Sequence, residues 1–566
     1  MRTKLYRVIA YLVVVISVLS TPLYSMAAEP AQNQGGSNKL SEVAAMSAAV
    51  RTQSGGNVGI TLSYVDGKEY LFLPAAADYK KVIFNFNTDQ YSVEIFKEGS
   101  ATQIISGEQS DISGYLGGDI GNGSRPLNVR LKAADGGVRE FVLYVMKSAN
   151  IASMYISSAD PSKGRGYIEA DKNHRASGSM VMINSKGSLV YSGGLAQIKG
   201  RGNTSFRAAK KPYQIKLQNA TDLIQTSDSN NADKTWVLLA NAWDPTMIHT
   251  TMAFKIAKSL GLNTPNFRAV DIYYDGTYCG NYLLCEKVEI GKGRVPIKNL
   301  EKANEKANEG KDLNKLETAM GTNKYGDTIK YVKNINNPEN IEGGYLVELD
   351  IAYYQDERSY FILSDGTQFV VKSPTNCSKE QMEYISDYFE EMLQLAQKGG
   401  KDPETGASVW DYIDKQSFVK YFVMQEIVKN ADVYASSTYL YKDAGAKLIS
   451  GPVWDFDDCY GVREDVSAPS GIVADGGWIL AMLALPDVRK EVKSYYRGTA
   501  KSKASAISID KCISEVSESQ KMNRILWNNI GQYYDRKFAT YEEDCAYMKN
   551  FARERFDWLS SEFAVW

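Results

Sequence analysis

Between residues 426 and 458 the chain brings four carboxylates, Asp432, Asp455, Asp457 and Asp458, to the two ends of one predicted hairpin. Asp432 follows a helical stretch that starts near Gln416. Thr438-Tyr439-Leu440-Tyr441-Lys442 and Ala446-Lys447-Leu448-Ile449-Ser450 alternate as strands around an Asp443-Ala444-Gly445 turn, and Trp454-Asp455-Phe456-Asp457-Asp458 follows. The two ends of a hairpin lie close in space, so Asp432 and the triad Asp455, Asp457 and Asp458 should meet. Carboxylates crowded together are costly unless a cation compensates them. Oxygen donors alone suit Mg²⁺ or Mn²⁺, and equally a structural Ca²⁺ or a solvated acidic loop.

A second set of residues suits phosphate. In Ile198-Lys199-Gly200-Arg201-Gly202-Asn203, two glycines one residue apart allow a close backbone approach to phosphate oxygens, or simply a turn between strands. One short connection later, Tyr213, Ile215 and Leu217 should face one side of a strand, and Gln214 and Lys216 the other. Lys216 is therefore a candidate to hold nucleotide phosphates; the alternative is a solvent-facing lysine. Asp275-Gly276 marks a hairpin whose second strand runs into Glu286-Lys287. That charged strand end either borders an adenine site or is solvated.

Composition narrows the chemistry. His174 and His249 are the only histidines in 566 residues, which disfavours a histidine-rich zinc site and leaves carboxylates, lysines and a hard cation. A net charge of −2 gives no global attraction to nucleic acid. The six cysteines, Cys279, Cys285, Cys377, Cys459, Cys512 and Cys545, match no metal pattern and fit bridges or buried thiols.

The elements that must position these residues follow from periodicity. Residues 1–27 carry Arg2, Lys4 and Arg7, then an apolar run to about Leu19 and small residues near Ala27, the order of a secretory signal peptide. No later run matches a membrane span, so a secreted protein is expected. Residues 28–56 read as a flexible linker, with a short helix possible over Leu40–Val50. Period-two runs such as Tyr91-Ser92-Val93-Glu94-Ile95-Phe96 predict a β-sandwich over 57–148. The remainder, 150–566, is strand-rich to about 290 and helix-rich after Lys379, so the fold class is α+β. A charged stretch at 297–342 reads as a mobile insertion or weak helix.

Gly200-Arg201-Gly202-Asn203, Lys211-Pro212-Tyr213-Gln214-Ile215-Lys216, Trp236-Val237-Leu238-Leu239-Ala240-Asn241, the run from Gly280 to Glu289, Gly344-Tyr345-Leu346-Val347-Glu348-Leu349-Asp350 and Trp454-Asp455-Phe456-Asp457 occur in the order found in the CotH family, named for a spore coat protein. The chain resembles that family over about 150–566. The resemblance implies an atypical, minimal protein-kinase-like domain that transfers the γ-phosphoryl of ATP to Ser or Thr of protein substrates. It implies Lys216 as phosphate lysine, Asp432 as catalytic carboxylate, Asp455 as principal metal ligand and Asp457 as a secondary one. Gly200, Arg201, Gly202, Asn203, Glu286 and Lys287 would then border ATP. Ser437 stands where typical kinases place an asparagine metal ligand. That departure, and the family's adhesin-like members, leave a weakly active or inactive binding protein as the alternative.

Overall fold

A computed structural model describes residues 39–53, 56–528 and 538–566. The expected signal peptide lies outside the described residues. Leu40–Val43 is a helix (α1) and Ser47–Arg51 is already a paired strand, so the linker expectation for 28–56 fails over these residues. Ala48, Ala49 and Val50 bury their side chains, which a compositional reading of a small-residue segment underrates.

The N-terminal strands are β1 (Ser47–Arg51), β2 (Asn57–Thr61), β3 (Ser63–Val65), β4 (Lys68–Leu73), β5 (Val82–Asn85), β6 (Tyr91–Lys97), β7 (Ser100–Ile104), β8 (Gln109–Ser110), β9 (Arg125–Ala133) and β10 (Val138–Lys147). They form two sheets, ordered β2-β1-β5-β8 and β3-β4-β10-β9-β6-β7. Val50 and Ile60 from the first share one apolar cluster with Phe72, Val93, Ile95 and Leu127 from the second.

Seven strands then close a barrel: β11 (Ala152–Ser158), β12 (Ala176–Ile183), β13 (Leu189–Gly200), β14 (Tyr213–Thr221), β15 (Asp233–Leu239), β16 (Phe267–Tyr274) and β17 (Thr277–Glu286), with α2 (Arg165–Ala170) and α3 (His249–Ser259) between them. Closure comes from the parallel pairing of β11 with β16. The alternation read from the sequence sorts the faces. Ile198, Ile215 and Trp236, paired across three strands, fill the interior. Lys199, Gln214, Val237 and Cys285 form the neighbouring outward row, where Val237 and Cys285 pack against the C-terminal half. Asp275 and Gly276, both at positive φ, make the expected tight turn.

The charged stretch 297–342 is not a loose insertion. It holds α4 (Leu300–Ala307), capped by the Asn299 side chain, and strands β18 (Thr318–Thr322) and β19 (Thr328–Val332). These join β20 (Tyr345–Leu349), β21 (Tyr360–Ile362), β22 (Gln368–Ser373), β23 (Thr438–Lys442) and β24 (Ile449–Ser450) in a second seven-stranded sheet, ordered β18-β19-β21-β22-β20-β23-β24. Buried Asn304 and Asn308 explain the asparagine content: the Asn304 amide donates to Gln381 and to the Asn376 carbonyl, and that of Asn308 to the Asn336 carbonyl. Helices α5 (Lys379–Gln397), α6 (Lys415–Val428), α7 (Gly477–Leu483), α8 (Pro486–Tyr495), α9 (Lys501–Ser505), α10 (Ile509–Leu526) and α11 (Tyr541–Glu562) complete an α+β chain. Helix α5 starts on a capping box, Ser378 with Gln381. No described helix is long and apolar enough to cross a membrane.

The N-terminal sheets do not hang free of the barrel. Tyr155, Tyr273, Tyr278 and Met522 lie in the same apolar cluster as Phe72. The Phe72 and Tyr278 rings are 4.8 Å apart, and the Tyr273 hydroxyl donates to the Phe72 carbonyl at 3.1 Å. A chain starting at Ala149 would expose those aromatic side chains. We expect it to self-associate in size-exclusion chromatography and to melt lower than the full chain; an equally stable monomer would show that the contact carries no energy.

Candidate functional site

The hairpin β23–β24 brings the four aspartates together. Asp432 lies just past the end of α6, where Lys429 takes a left-handed conformation and turns the chain. Ser437 and Asp455 are also left-handed, at φ 58° and 63°. Their side chains meet: the Ser437 hydroxyl donates to Asp455 Oδ2 at 3.0 Å. The Asn430 amide donates to the Asp455 carbonyl at 3.3 Å and to Gln425, tying both ends of the hairpin to α6. Asp457 is strongly perturbed. Burial first, then the charges of Asp455, Asp458 and Asp432, push it well above the usual carboxylate range.

Arg463, which the sequence reading passed over, answers part of this negative charge. Its Nη1 donates to Asp432 Oδ1 at 3.0 Å and to Asp458 Oδ2 at 3.4 Å, and Nη2 to Asp465 at 2.8 Å. Burial opposes its charge, but Asp458, Asp432 and Asp465 outweigh burial and raise its pKa. The remaining pair, Asp455 with Asp457, keeps oxygen donors for a hard cation. Among the described residues no group of three His, Cys, Asp or Glu is placed to hold a metal unaided.

Positive charge gathers on the barrel. Arg201 lies 5.5 Å from the Trp454 ring and within electrostatic reach of Tyr439, Lys172 and Lys287. Lys199, half-buried on the outward row of β13, is pushed down to about 8 by burial and then by Arg175, Lys287, Lys172 and Arg201. An ammonium so placed gains from any anion that arrives. Across the junction Lys372 on β22 pairs with Glu357 at 2.6 Å and with buried Glu348 at 3.3 Å. Lys199, Lys372 and Glu348 were missed. The signal for Lys199 was its place in the strand immediately before the glycines, two residues from Arg201.

The other expected residues divide. Lys216 shares the outward face with Lys199, opposite Gln197 and Thr235, but is exposed and makes none of the described hydrogen bonds or ion pairs. Gly200 and Gly202 are required by their own loop: a Cβ at Gly200 would meet the Phe206 ring at 2.1 Å, and at Gly202 (φ 85°) the Ser205 hydroxyl at 2.1 Å. Asn203 accepts from Lys172 at 2.5 Å, which links the loop to the cationic group. Glu286 is buried and accepts from the Asn266 backbone N–H at 2.7 Å and amide at 3.1 Å, a bracing role at the end of β17. Lys287 is half-buried and pairs with Glu289 at 3.2 Å.

The loop beyond Asp458 is held from behind. Arg555 on α11 and Glu426 on α6 are both fully buried, 2.5 Å apart. Arg555 Nη1 also donates to the Pro469 and Gly471 carbonyls, each at 2.7 Å, and Nε to the Glu426 carbonyl. Glu426 accepts the Ala474 backbone N–H at 2.7 Å. At the other side of the acidic cluster, His249 at the start of α3 places Nδ1 3.2 Å from the Asp457 carbonyl oxygen. All six cysteines are buried and unbridged. Burial raises each of their pKa values, those of Cys285 and Cys545 to about 12.

The fold is an α+β chain that carries a closed seven-stranded barrel, a second seven-stranded sheet and the helices packed with it. The chain belongs to the CotH kinase protein family, which matches residues 198–559. No curated protein matches it. The match begins on β13, at the strand that carries Lys199, and ends within α11, so it takes in the four aspartates with Lys199, Arg201 and Lys287, while Lys172 and Arg175 precede it.

Removing the guanidinium of Arg555 would leave Glu426 buried without its counter-charge. Arg555→Ala is expected to cost about 3–5 kcal/mol. Urea unfolding followed by tryptophan fluorescence would measure this, and limited proteolysis should find the 463–476 loop newly cleavable. A loss below about 1 kcal/mol, within the range of an exposed ion pair, would contradict the buried role.

Proposed function

We propose that this protein is a secreted kinase that transfers the γ-phosphoryl group of ATP to Ser or Thr hydroxyls of extracellular or coat proteins, with Mg²⁺ or Mn²⁺. The observation that supports the reading is the place of Arg201 over the Trp454 ring, next to Asp455, with both Arg201 and Asp455 acting on Tyr439, in a chain of the CotH kinase protein family. Phosphoryl transfer asks a protein for positioning and charge neutralisation rather than for a covalent group. Asp432 would orient the substrate hydroxyl and take its proton, with Arg463 fixing the direction of its carboxylate. Lys199 and Arg201 would hold the phosphates. Asp455, steered by Ser437, and Asp457 would face a divalent cation, whose contribution when bound is to neutralise charge on the phosphoryl oxygens. The N-terminal sheets, which we read as a sandwich, support the barrel and carry no part of this chemistry.

A second reading is a kinase-like binding protein without turnover. Ser437 at the expected asparagine position, already bonded to Asp455, favours it.

Nucleotide-dependent melting separates the two, because a ligand that binds only the folded state raises stability by mass action. Wild-type protein should melt higher in millimolar ATP with Mn²⁺. Lys199→Met keeps the apolar stem, so it should retain the basal melting temperature and lose most of the ATP shift. Lys216→Met should keep more of the shift than Lys199→Met; the reverse order would return the phosphate role to Lys216. A wild type indifferent to ATP and metal would sink the kinase reading.

Transfer itself is read with labelled ATP and phosphosite mapping of the protein. Asp455→Ala should abolish labelling and weaken nucleotide–metal binding. Asp432→Asn should slow labelling by about 10²-fold while binding changes little, as for a group acting in the transition state. Full labelling by either variant would remove that residue from the site.

A further inference from the structure

A second cleft, of about 540 Å³, opens on the barrel's outer wall, away from the acidic cluster. Its walls are the start of β16, with Phe267 and Ala269 on the outward face and Arg268 turned to the 223–225 segment, one face of α3, the 224–226 segment and α10. Ile248, Phe267 and Val516 contribute an apolar lining. Three cations, Lys255, Lys258 and Arg268, share the cleft with a single carboxylate, Glu515.

The pairing inside it is uneven. Lys255 Nζ takes Glu515 at 3.3 Å and the Cys512 sulfur at 3.1 Å, which uses the one carboxylate. Lys258 donates only to the neutral Asn266 amide oxygen, at 2.9 Å. Arg268 reaches Gln225 Oε1 at 3.3 Å and the Leu223 carbonyl at 3.5 Å, long bonds to neutral acceptors for a half-buried guanidinium. Burial lowers the Arg268 pKa, and the more distant Glu515 and Asp222 only partly offset it. A half-buried guanidinium served by long neutral contacts has hydrogen-bonding capacity left for an acceptor of its planar, two-pronged geometry.

We propose that this cleft is a binding site for a small anionic amphiphile, a carboxylate, sulfonate or phosphate ester on an apolar body, separate from the acidic cluster. Its volume lies in the range that buries a compact organic ligand, and a mostly apolar lining with a few convergent charges is the usual make-up of such sites. The anionic group would take Arg268 and Lys258, leaving the Lys255–Glu515 pair intact, and the apolar body would lie on Phe267 and Val516. Helix α3 would feel the occupant, since it lines the cleft with Thr251, Lys255, Lys258 and Ser259 and begins at His249 against the Asp457 carbonyl.

The test uses the full chain and anilinonaphthalene sulfonate, an aromatic sulfonate that fluoresces when it leaves water. Wild-type protein should give a saturable signal at one molar equivalent. Arg268→Gln with Lys258→Gln should weaken binding at least tenfold, and Ala269→Trp, which fills the cleft without touching a charge, should abolish it. Phenyl phosphate and decanoate, added as competitors, tell a phosphate from a carboxylate preference. Matching near-ultraviolet circular dichroism confirms that the variants are folded; if Ala269→Trp is not, the double glutamine variant decides alone. An absent or non-saturable wild-type signal, or equal affinity in the folded variants, would overturn the site.

Discussion

Arg555 and Glu426 lie 129 residues apart and are both cut off from water. Either charge alone would be intolerable there; together, with the Pro469 and Gly471 carbonyls and the Val473 and Ala474 N–H groups taken up, they make a saturated knot. Everything near the candidate site leans on it. Glu426 lies two residues before the end of α6, whose exit sets Asp432. The loop held by Arg555 is the one that presents Arg463 to Asp432 and Asp458. Lys429 adds a second hold, donating to the Ser470 carbonyl at 2.6 Å and also to that of Ala468. A single ionic contact between the last helix and α6 therefore fixes the two ends of the acidic cluster relative to each other.

The division of charge between barrel and hairpin has a plain electrostatic logic. The barrel side concentrates ammonium and guanidinium groups; the hairpin side concentrates carboxylates. Neither cluster is neutral by itself: Arg463 answers only part of the acidic group, and Lys372 is already committed to Glu348 and Glu357. In the function proposed above, a polyanion paired with a divalent cation would answer both kinds of charge at once.

Local chemistry was the legible part of the sequence. The hairpin between Asp432 and Asp455 could be read because alternating residues and an Asp-Ala-Gly turn are short-range signals; strand parity put Gln214 and Lys216 on the face opposite Tyr213, Ile215 and Leu217, but could not say which face was the interior. Barrel closure could not be read, since it rests on a parallel pairing of β11 and β16, which are more than a hundred residues apart. The 297–342 stretch misled through its charge and asparagine content, because amides buried in reciprocal hydrogen bonds look like loop composition in one dimension. Lys199 was hidden by its neighbours: the glycines drew attention to the next strand, while the lysine drawn in among other cations sat on the strand before them. Glu426 and Arg555 carried no signal at all, each being one charge in a helical pattern.

The six unbridged thiols have a consequence for how the chain is made. A thiol with its pKa near 12 is almost never a thiolate at neutral pH, and the thiolate is the species that oxidants and disulfides attack. The finished protein is thereby sheltered. Its nascent chain is not, for until the barrel closes and α10 and α11 dock, all six sulfurs titrate as ordinary cysteines. In an oxidising compartment, folding would be a race between collapse and cross-linking, one that a quick-folding chain wins and a chaperone or a reducing pulse would help a slow one to win.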